Sequence, residues 1–440
     1  MKSRAPLCQA LEELIYKDAP RLAQEQGLIV RHRCFSASTL LLLLVFGWLK
    51  HPLAGPSQLA RFAHSVGVRV SKQAIFERLT KNTAHWLLSV LQQAVHTLLL
   101  TSSLSVGLLA RFPAVLLEDT TCIELPSALA WLWKGSGGNA SPSAVKLGVR
   151  WDLRSGRLDG PALHQGRDHD SRTSTHTLPC GQGSVWVADA AYYSLKQLRQ
   201  MDQQGVVFVI RPRGNLAVST PEGQRLDLAS HLSALTDTVI DLSVRLGSIR
   251  SLWLNARIIA LPVSDEVAQK RREHLLDKAN KQGHVPSSHA LALARWTLIV
   301  TNAPVERLSA EEALLLFRAR WQVELLFKLW KSHGHVDEWS SQLPDHILCE
   351  FYAKLIAMLV EHWVLLESCW DDPHRNWMLC ADLFRDQLSL LVLGIRGYIP
   401  LSQALACIRE ALLGSASIPA RSTRPSTSHQ LLDGVYWGLT

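Results

Sequence analysis

The sequence is most informative between residues 317 and 331, where it reads Phe317-Arg-Ala-Arg-Trp-Gln-Val-Glu-Leu-Leu-Phe-Lys-Leu-Trp-Lys331. This stretch has no Gly or Pro and consists largely of good helix formers, so it is predicted to be a helix. At roughly 100° per residue, Arg320, Glu324 and Lys331 fall in one narrow sector, and the rest of the circumference is mostly apolar. Buried charge is costly unless it is paired or bound to something charged. We therefore interpret the ionic stripe as one wall of a site.

A plainer interpretation of the stripe is a solvated helix face on which Arg320 and Glu324 form an i,i+4 ion pair. Two acids upstream favour a site. Asp119 ends the apolar run that begins at Pro113, and Asp189 ends the run that begins at Ser184. Because open α/β sheets bind ligands at the carboxyl ends of their strands, both acids are predicted to lie at strand ends near a ligand. Strand-end capping or turn formation explains either acid taken singly.

The three carboxylates of Asp119, Asp189 and Glu324 are expected to converge on one or two divalent cations. Hard oxygen ligands suit Mg²⁺, with Mn²⁺ able to replace it. Two such ions a few ångströms apart activate a water or a 3′-hydroxyl and stabilise the leaving oxygen of a phosphodiester. The pattern therefore predicts phosphoryl-transfer chemistry.

These segments together resemble the DDE transposases of bacterial insertion sequences, specifically the IS-four-like subgroup with the signature Tyr-x2-Arg-x3-Glu-x6-Lys. The spacing here is Phe317-x2-Arg320-x3-Glu324-x6-Lys331, with Phe in place of the signature Tyr. Asp119-Thr-Thr121 is similar to the family's first-acid motif, and Ala188-Asp189-Ala-Ala-Tyr192 is similar to the second. The resemblance covers about residues 55 to 331.

The resemblance implies a DNA transposase that performs Mg²⁺-dependent phosphodiester cleavage and strand transfer of its own insertion-sequence ends, as in cut-and-paste transposition. It implies that Asp119, Asp189 and Glu324 are catalytic and bind two metal ions. The implied partners are double-stranded DNA, both terminal inverted repeats and target, and a second copy of the chain in a synaptic dimer. DNA phosphates near the scissile bond are expected to contact Arg320, Lys331, Lys328 and Phe317.

The fold class predicted for the 440 residues is α/β, with an RNase H-like catalytic core, a β-rich insertion and flanking helical domains. Residues 1–105 are predicted to form a separate helical DNA-binding domain. The core is assigned to residues 106–213 and 295–345, with the insertion at 214–294. Residues 346–440 are predicted to be helical, with a poorly ordered tail from residue 414.

A helix-turn-helix is predicted in the amino-terminal domain. Residues 56–67 read as a helix and a Gly turn, and residues 71–79 as a second helix capped by Ser71. An ordinary αα-hairpin in a helical bundle fits the same pattern. If the motif binds DNA, its second helix offers Lys72, Gln73 and Arg78.

Composition bounds the partners and the compartment. A net charge of +8 and a pI near 9.1 favour a polyanionic partner. The eight cysteines form no CxxC pair and no secretory signal is evident, which favours a reduced cytoplasm. Association with a bacterial nucleoid is implied by the resemblance to bacterial transposases. The apolar run at residues 39–49 is shorter than the roughly twenty residues that span a membrane, so a buried helix and no membrane contact are expected.

Three alternatives stay open at this point. The first is a catalytically decayed or repurposed transposase that only binds DNA, for which Phe317 is the support. The second is an RNase H-like nuclease that hydrolyses DNA without joining it, since water and a 3′-hydroxyl are activated alike. The third is a membrane protein built on residues 39–49, against which the lack of a second long apolar span counts.

Overall fold

The computed structural model of the chain describes residues 6–28, 36–97, 99, 103–104, 107–138, 140–214, 216–235, 239–247, 253–281, 283–370, 376–415, 427, 430 and 431. These residues form a mixed α/β fold around one large sheet. Most of the predicted tail after residue 414 lies outside them, so that prediction cannot be compared with the structure.

Helices dominate the amino-terminal part of the chain. The apolar run at residues 39–49 lies in a helix with twelve buried residues, as predicted. Among the described residues, no helix is long and apolar enough to cross a membrane. The helices are α1 (Leu7–Glu12), continued by a π-helical turn (Glu13–Asp18), α2 (Ala19–Glu25), α3 (Ala37–Lys50), α4 (Pro56–Ser65), α5 (Lys72–Phe76), α6 (Lys81–Val95) and α7 (Gly107–Ala110).

In the described part of the chain, nine strands form a single sheet: β1 (Val115–Leu125), β2 (Ser143–Asp152), β3 (Leu158–Gln165), β4 (Val185–Ala188), β5 (Val207–Ile210), β6 (Val218–Ser219), β7 (Ile240–Leu246), β8 (Leu254–Pro262) and β9 (Trp296–Thr301). Their order is β3-β2-β1-β4-β5-β9-β8-β7-β6. β1, β2 and β3 are antiparallel, whereas β4 and β5 run parallel to β1. The remaining neighbours are antiparallel.

The sheet separates two hydrophobic cores. Successive side chains of a strand point to opposite faces. Accordingly, Val185 and Val187 of β4 belong to the core shared with the helices from both ends of the chain, and Trp186 and Ala188 belong to the core on the other face.

Residues 214–294, the predicted β-rich insertion, extend the sheet rather than build a second one. They contribute β6, β7 and β8, which continue outward from β9. The helices between the strands are α8 (Leu195–Gln203), before the insertion, and α9 (Leu228–Ser233), α10 (Asp265–Lys281) and α11 (Ser288–Leu293), within it.

The carboxyl-terminal part of the described chain is helical, as far as Ser415. The helix at Pro344–Cys369 (α14) is almost completely buried. All but three of its 26 residues are buried, and α3 and α6 pack directly against it. The amino-terminal and carboxyl-terminal helices therefore share one core. The helices are α12 (Ala310–Ala319), α13 (Trp321–Ser332), α14 (Pro344–Cys369), α15 (Trp377–Asp386), α16 (Leu388–Ile395) and α17 (Leu401–Ser415).

The segment predicted as one helix from residue 317 is two helices joined at Arg320. α12 starts at a capping box between Ser309 and Glu312 and ends at Ala319, and α13 starts at Trp321, so that Arg320 alone lies between them. Arg320 keeps helical torsion angles, with φ −51° and ψ −32°, so the backbone stays helical between α12 and α13. The break places the Arg320 side chain at the amino-terminal end of α13, beside the sheet.

Candidate active site

Asp119 lies on β1, and Asp189 directly follows β4, the parallel neighbour of β1. The pairing of β1 with β4 aligns Val115 with Val185 and Leu117 with Val187. Continued two residues beyond these pairs, the same register aligns Asp119 with Asp189, in agreement with the effect of Asp189 on the pKa of Asp119. The sequence predicted Asp119 at the end of its strand, and this is wrong, because β1 continues along β2 to Leu125.

Asp189 follows the last residue of β4 and begins a short 3₁₀ turn. Its carboxylate accepts a hydrogen bond of 2.7 Å from the backbone N–H of Ala190, which is the bond of an N-cap. The capping explanation therefore fits Asp189 and does not exclude a catalytic role, because the cap uses one of its two carboxylate oxygens.

Glu324 reaches this edge of the sheet from α13, and Arg320 connects it to Asp119. The guanidinium donates from Nη1 to Asp119 Oδ2 at 2.7 Å and from Nη2 to Glu324 Oε1 at 2.6 Å. The Arg320 side chain is only 15% exposed, so this is not the solvated stripe of the plainer interpretation. Its Nε is buried and has no hydrogen-bond partner among the described residues.

Burial and crowded negative charge dominate the electrostatics of the site. Burial raises the pKa of Asp119 to about 6, against Arg320 and the Thr120 N–H, which lower it. Glu324 and Asp189 raise the pKa of Asp119 further, so the three acids lie within electrostatic reach of one another. Burial acts to lower the pKa of Arg320, but Asp119, Asp189 and Glu324 hold this pKa above its usual value.

An open cavity of about 460 Å³ lies between β1 and α13. Lys331 lies at its wall and donates to the carbonyl of Cys122 at 3.1 Å, whereas Lys328 is exposed. The centroid of the half-buried Phe317 ring lies 5.9 Å from the Arg320 guanidinium, and Phe317 does not line the cavity. The lining consists of Asp119, Thr120, Thr121, Glu324, Phe327, Lys328, Lys331 and Ser332.

The carboxylates do not form a ready-made metal site. Among the described residues, no three His, Cys, Asp or Glu side chains are grouped so as to hold one metal ion. The sequence predicted that Asp119, Asp189 and Glu324 converge on a cation, but the Arg320 guanidinium lies between Asp119 and Glu324 instead. The chemistry of the donor set still fits Mg²⁺, because all three donors are carboxylates and one arginine offsets only part of their charge.

Sequence reasoning missed a buried polar network directly behind Asp119. Glu118 points to the opposite face of β1, where it is fully buried. Its Oε2 accepts hydrogen bonds from Trp186 Nε1 at 2.7 Å and Arg150 Nη2 at 3.1 Å, and His176 Nδ1 lies 3.4 Å away. A carboxylate inside an apolar strand run was the one available signal.

The same network reaches the turn that carries Asp189. The ring of His176 packs 5.1 Å from the ring of Tyr192, which lies in that turn, and 5.7 Å from Trp186. The strands and the turn that position Asp119 and Asp189 are thus joined behind the site by one set of buried aromatic and polar side chains.

A second feature missed by sequence reasoning fixes the strand residue after Asp119. Asp170, in the loop before β4, accepts hydrogen bonds from Thr120 Oγ1 at 2.8 Å and from Lys146 Nζ at 2.5 Å. The polar sequence of this loop, residues 166–173, favours a solvated loop and gives no sign of this contact. Its acid instead secures the edge of the cavity.

A family model described as "Transposase DDE domain" matches residues 110–360, which is more than half of the chain and includes all three acids. The chain belongs to the DDE transposases. The resemblance drawn from the sequence motifs is therefore confirmed.

Two transposases of insertion sequence elements are similar to this chain over most of its length. The transposase for insertion sequence element IS231C of Bacillus thuringiensis subsp. berliner is 28% identical over 362 residues, covering 77% of this chain and 75% of that protein. The transposase for insertion sequence element IS1151 of Clostridium perfringens is 22% identical over 370 residues, covering 79% and 78%. This chain is accordingly an insertion-sequence transposase and a metal-dependent polynucleotidyl transferase.

The proposed helix-turn-helix of this DDE transposase is only partly regular. Ser71 caps α5 by accepting from the Ala74 N–H at 3.1 Å, as predicted. However, α5 ends at Phe76 rather than at residue 79, because the following turn closes with shorter-range bonds into α6. Lys72 and Gln73 are exposed, and Arg78 is half-buried. Their contact with DNA stays a prediction.

Proposed function

We propose that this transposase cleaves the ends of its own insertion sequence and joins them to target DNA, as in cut-and-paste transposition. The observation that carries the proposal is that Asp119 and Glu324 line one open cavity with Lys328 and Lys331, and that the charge of Asp189 acts on Asp119. Negative charges held this close together favour a cationic ligand.

We further propose that the catalytic core is RNase H-like, comprising residues 106–213 and 295–345. The strand order β3-β2-β1-β4-β5, with three antiparallel strands followed by two parallel to β1, supports this assignment. Residues 214–294 are the β-rich insertion, and the flanking residues 1–105 and 346–440 are the helical regions.

In this proposal Asp119, Asp189 and Glu324 hold Mg²⁺, or Mn²⁺ in its place, as two ions. When bound, the ions activate the attacking hydroxyl and stabilise the leaving oxygen of the phosphodiester. Asp119, fixed by β1 and the Thr120 N–H, and Asp189, fixed by its turn, supply rigid ligands. Glu324 approaches from a separate helix and closes the donor set.

Positively charged side chains near the site are proposed to bind the phosphates of the DNA backbone. Arg320 offers a planar fork that matches two phosphate oxygens, and Lys331 and Lys328 offer ammonium groups at the rim of the same cavity. Phe317 supports the Arg320 guanidinium with its ring and lacks the hydroxyl of the signature Tyr.

The proposed partner is double-stranded DNA, both the terminal inverted repeats and the target. The relatives named above act in insertion sequences, and this protein's excess of positive charge suits DNA. We place Lys72, Gln73 and Arg78 at the end-recognition surface. A homodimer in the synaptic complex follows from the need to join two ends, and the cytoplasm, at the nucleoid, is the proposed compartment.

The proposal is tested by single-turnover reaction of the purified protein with a duplex that carries the inverted repeat flanking its gene, with Mg²⁺. We expect a 3′-hydroxyl end and then a product joined to target DNA. Asp119→Asn, Asp189→Asn and Glu324→Gln should each abolish both products but still bind the duplex. Cleavage without joining would identify a nuclease, and binding without cleavage would identify a decayed transposase.

A further inference from the structure

Arg320 donates hydrogen bonds to the carboxylate oxygens that the proposed metal ligands would offer to a cation. Its two Nη atoms bind Asp119 Oδ2 and Glu324 Oε1. The other oxygen of Asp119, Oδ1, accepts the Thr120 N–H at 2.8 Å. Both oxygens of Asp119 are therefore engaged by protein donors.

A guanidinium and a divalent cation cannot share these oxygens without cost. Both are positive, and at hydrogen-bond distance inside a partly buried site their repulsion is weakly screened. Arg320 is 15% exposed and Asp119 18% exposed, so solvent separates the charges poorly. A divalent cation that coordinates Asp119 Oδ2 and Glu324 Oε1 must therefore displace the Arg320 guanidinium.

Two features favour movement of the Arg320 side chain from the carboxylates to a phosphate of bound DNA. Its Nε is a buried donor with no partner among the described residues, and an unsatisfied buried donor is unfavourable. A phosphate offers a guanidinium two parallel hydrogen bonds, as carboxylates do, without removing a ligand from the metal. The position of Arg320 at the junction of α12 and α13, beside the cavity, gives its side chain access to both partners.

We propose that Arg320 is an exchangeable counter-ion that couples metal binding to DNA binding. Without DNA it neutralises Asp119 and Glu324 and competes with divalent cations. With DNA it moves to a phosphate of the bound end and frees the two carboxylates for the metal. This inference rests on the proposed function, because it takes the three acids to be the metal ligands.

Coupling of this kind is reciprocal and measurable without catalysis. If DNA raises the affinity for the metal, the metal must raise the affinity for DNA by the same factor. Removing Arg320 should tighten metal binding in the absence of DNA and abolish most of the coupling. Allosteric couplings of this type amount to about 5–150-fold, so a change of at least about tenfold is expected.

The experiment is a Mn²⁺ titration of the purified full-length chain, followed by electron paramagnetic resonance of the free ion, with and without end duplex. Arg320→Gln is compared with Arg157→Gln, which removes one guanidinium from an exposed ion pair with Asp159 that does not line this cavity. Arg320→Lys is the second variant, since one ammonium keeps the charge but cannot bridge both acids. Near-ultraviolet circular dichroism checks folding.

We expect Arg320→Gln to bind Mn²⁺ at least about tenfold more tightly than wild type without DNA, with Arg320→Lys in between and Arg157→Gln within about threefold of wild type. End duplex should tighten Mn²⁺ binding to wild type much more than to Arg320→Gln. Equal DNA-free affinities of wild type and both Arg320 variants would overturn the exchange but leave the proposed function intact. If every protein, with and without duplex, fails to bind Mn²⁺, the proposed function itself fails.

Discussion

The indole Nε1 of Trp186 donates to Oε2 of Glu118 at 2.7 Å, and both side chains are completely buried. Glu118 precedes Asp119 on β1, and Trp186 lies three residues before Asp189 on β4. The bond therefore ties together the two strands that carry the first two acids, from the face opposite the cavity. A buried carboxylate that depends on such donors makes the support of the site sensitive to single substitutions.

Trp186→Phe tests this support. The substitution keeps most of the aromatic packing but removes the shortest hydrogen bond to a buried carboxylate, so the free energy of unfolding should fall by about 1–3 kcal/mol. Urea denaturation measures the loss. Trp131→Phe is the control, because Trp131 is 61% exposed and should change stability by less than about 0.5 kcal/mol. Equal stability of the two variants would contradict a supporting role for the bond.

Local patterns revealed the residues that bear the chemistry. Asp119 and Asp189 each end a short apolar run, and Glu324 follows Arg320 at the spacing of one helical turn. The neighbouring residues in the sequence therefore predicted the strands and the helix that carry the three acids. The break at Arg320 was not, because Ala319, Arg320 and Trp321 carry no Gly or Pro signal and the torsion angles stay helical. Packing against the sheet, rather than local propensity, decides where that side chain lies.

Long-range partners explain most of what sequence reasoning missed. The residues that bind Glu118 lie 32, 58 and 68 positions away along the chain, and no periodicity links them. Helical patterns likewise gave no sign that α3 and α6 would cover α14, because an apolar helix face does not identify its partner. This shared packing argues against the amino-terminal helices as a separate folding unit.

Lys331→Ala should slow cleavage of the DNA end. Lys331 is held at the cavity wall by its bond to the Cys122 carbonyl, three residues after Asp119 on β1. Loss of one charge-assisted phosphate contact, worth about 1.5–3 kcal/mol, corresponds to one to two decades in rate if the contact is complete in the transition state. Single-turnover cleavage with Mg²⁺ measures it. Lys17→Ala, at an exposed lysine of the π-helical turn, is the control, and a wild-type rate in Lys331→Ala would exclude the contact.

Deletion of residues 1–105 should destabilise the rest of the chain, in addition to removing the proposed DNA-binding helices. α3 and α6 pack directly on α14, whose residues are almost all buried, so their removal would expose a long apolar helix. The truncated chain should aggregate or lose cooperative thermal unfolding. By contrast, Lys72→Ala combined with Gln73→Ala changes two exposed side chains and should weaken end binding without lowering the melting temperature. A truncated protein that melts cooperatively at the wild-type temperature would show that the amino-terminal helices do fold apart.

Glu361, buried in the middle of α14, should make stability depend on pH. Burial raises the pKa of its carboxyl to about 7, with Arg385 lowering this pKa and Asp382 raising it. The unfolded chain ionises Glu361 near its ordinary value of 4.5. Since the folded pKa is the higher one, the stabilising contribution of the neutral form is complete below pH 4.5 and is lost as pH rises through 7.

Glu361→Gln keeps a neutral side chain of similar shape at every pH. Its free energy of unfolding, relative to wild type, should therefore increase by about 2–3 kcal/mol between pH 4.5 and pH 8, because the Glu361 carboxyl titrates at a higher pH in the folded protein than in the unfolded chain. Urea denaturation of both proteins across this range, in a chelating buffer, measures the difference. Parallel pH profiles would mean that Arg385, whose Nη2 lies 3.7 Å from the Glu361 carboxylate, keeps that carboxylate ionised in the folded protein.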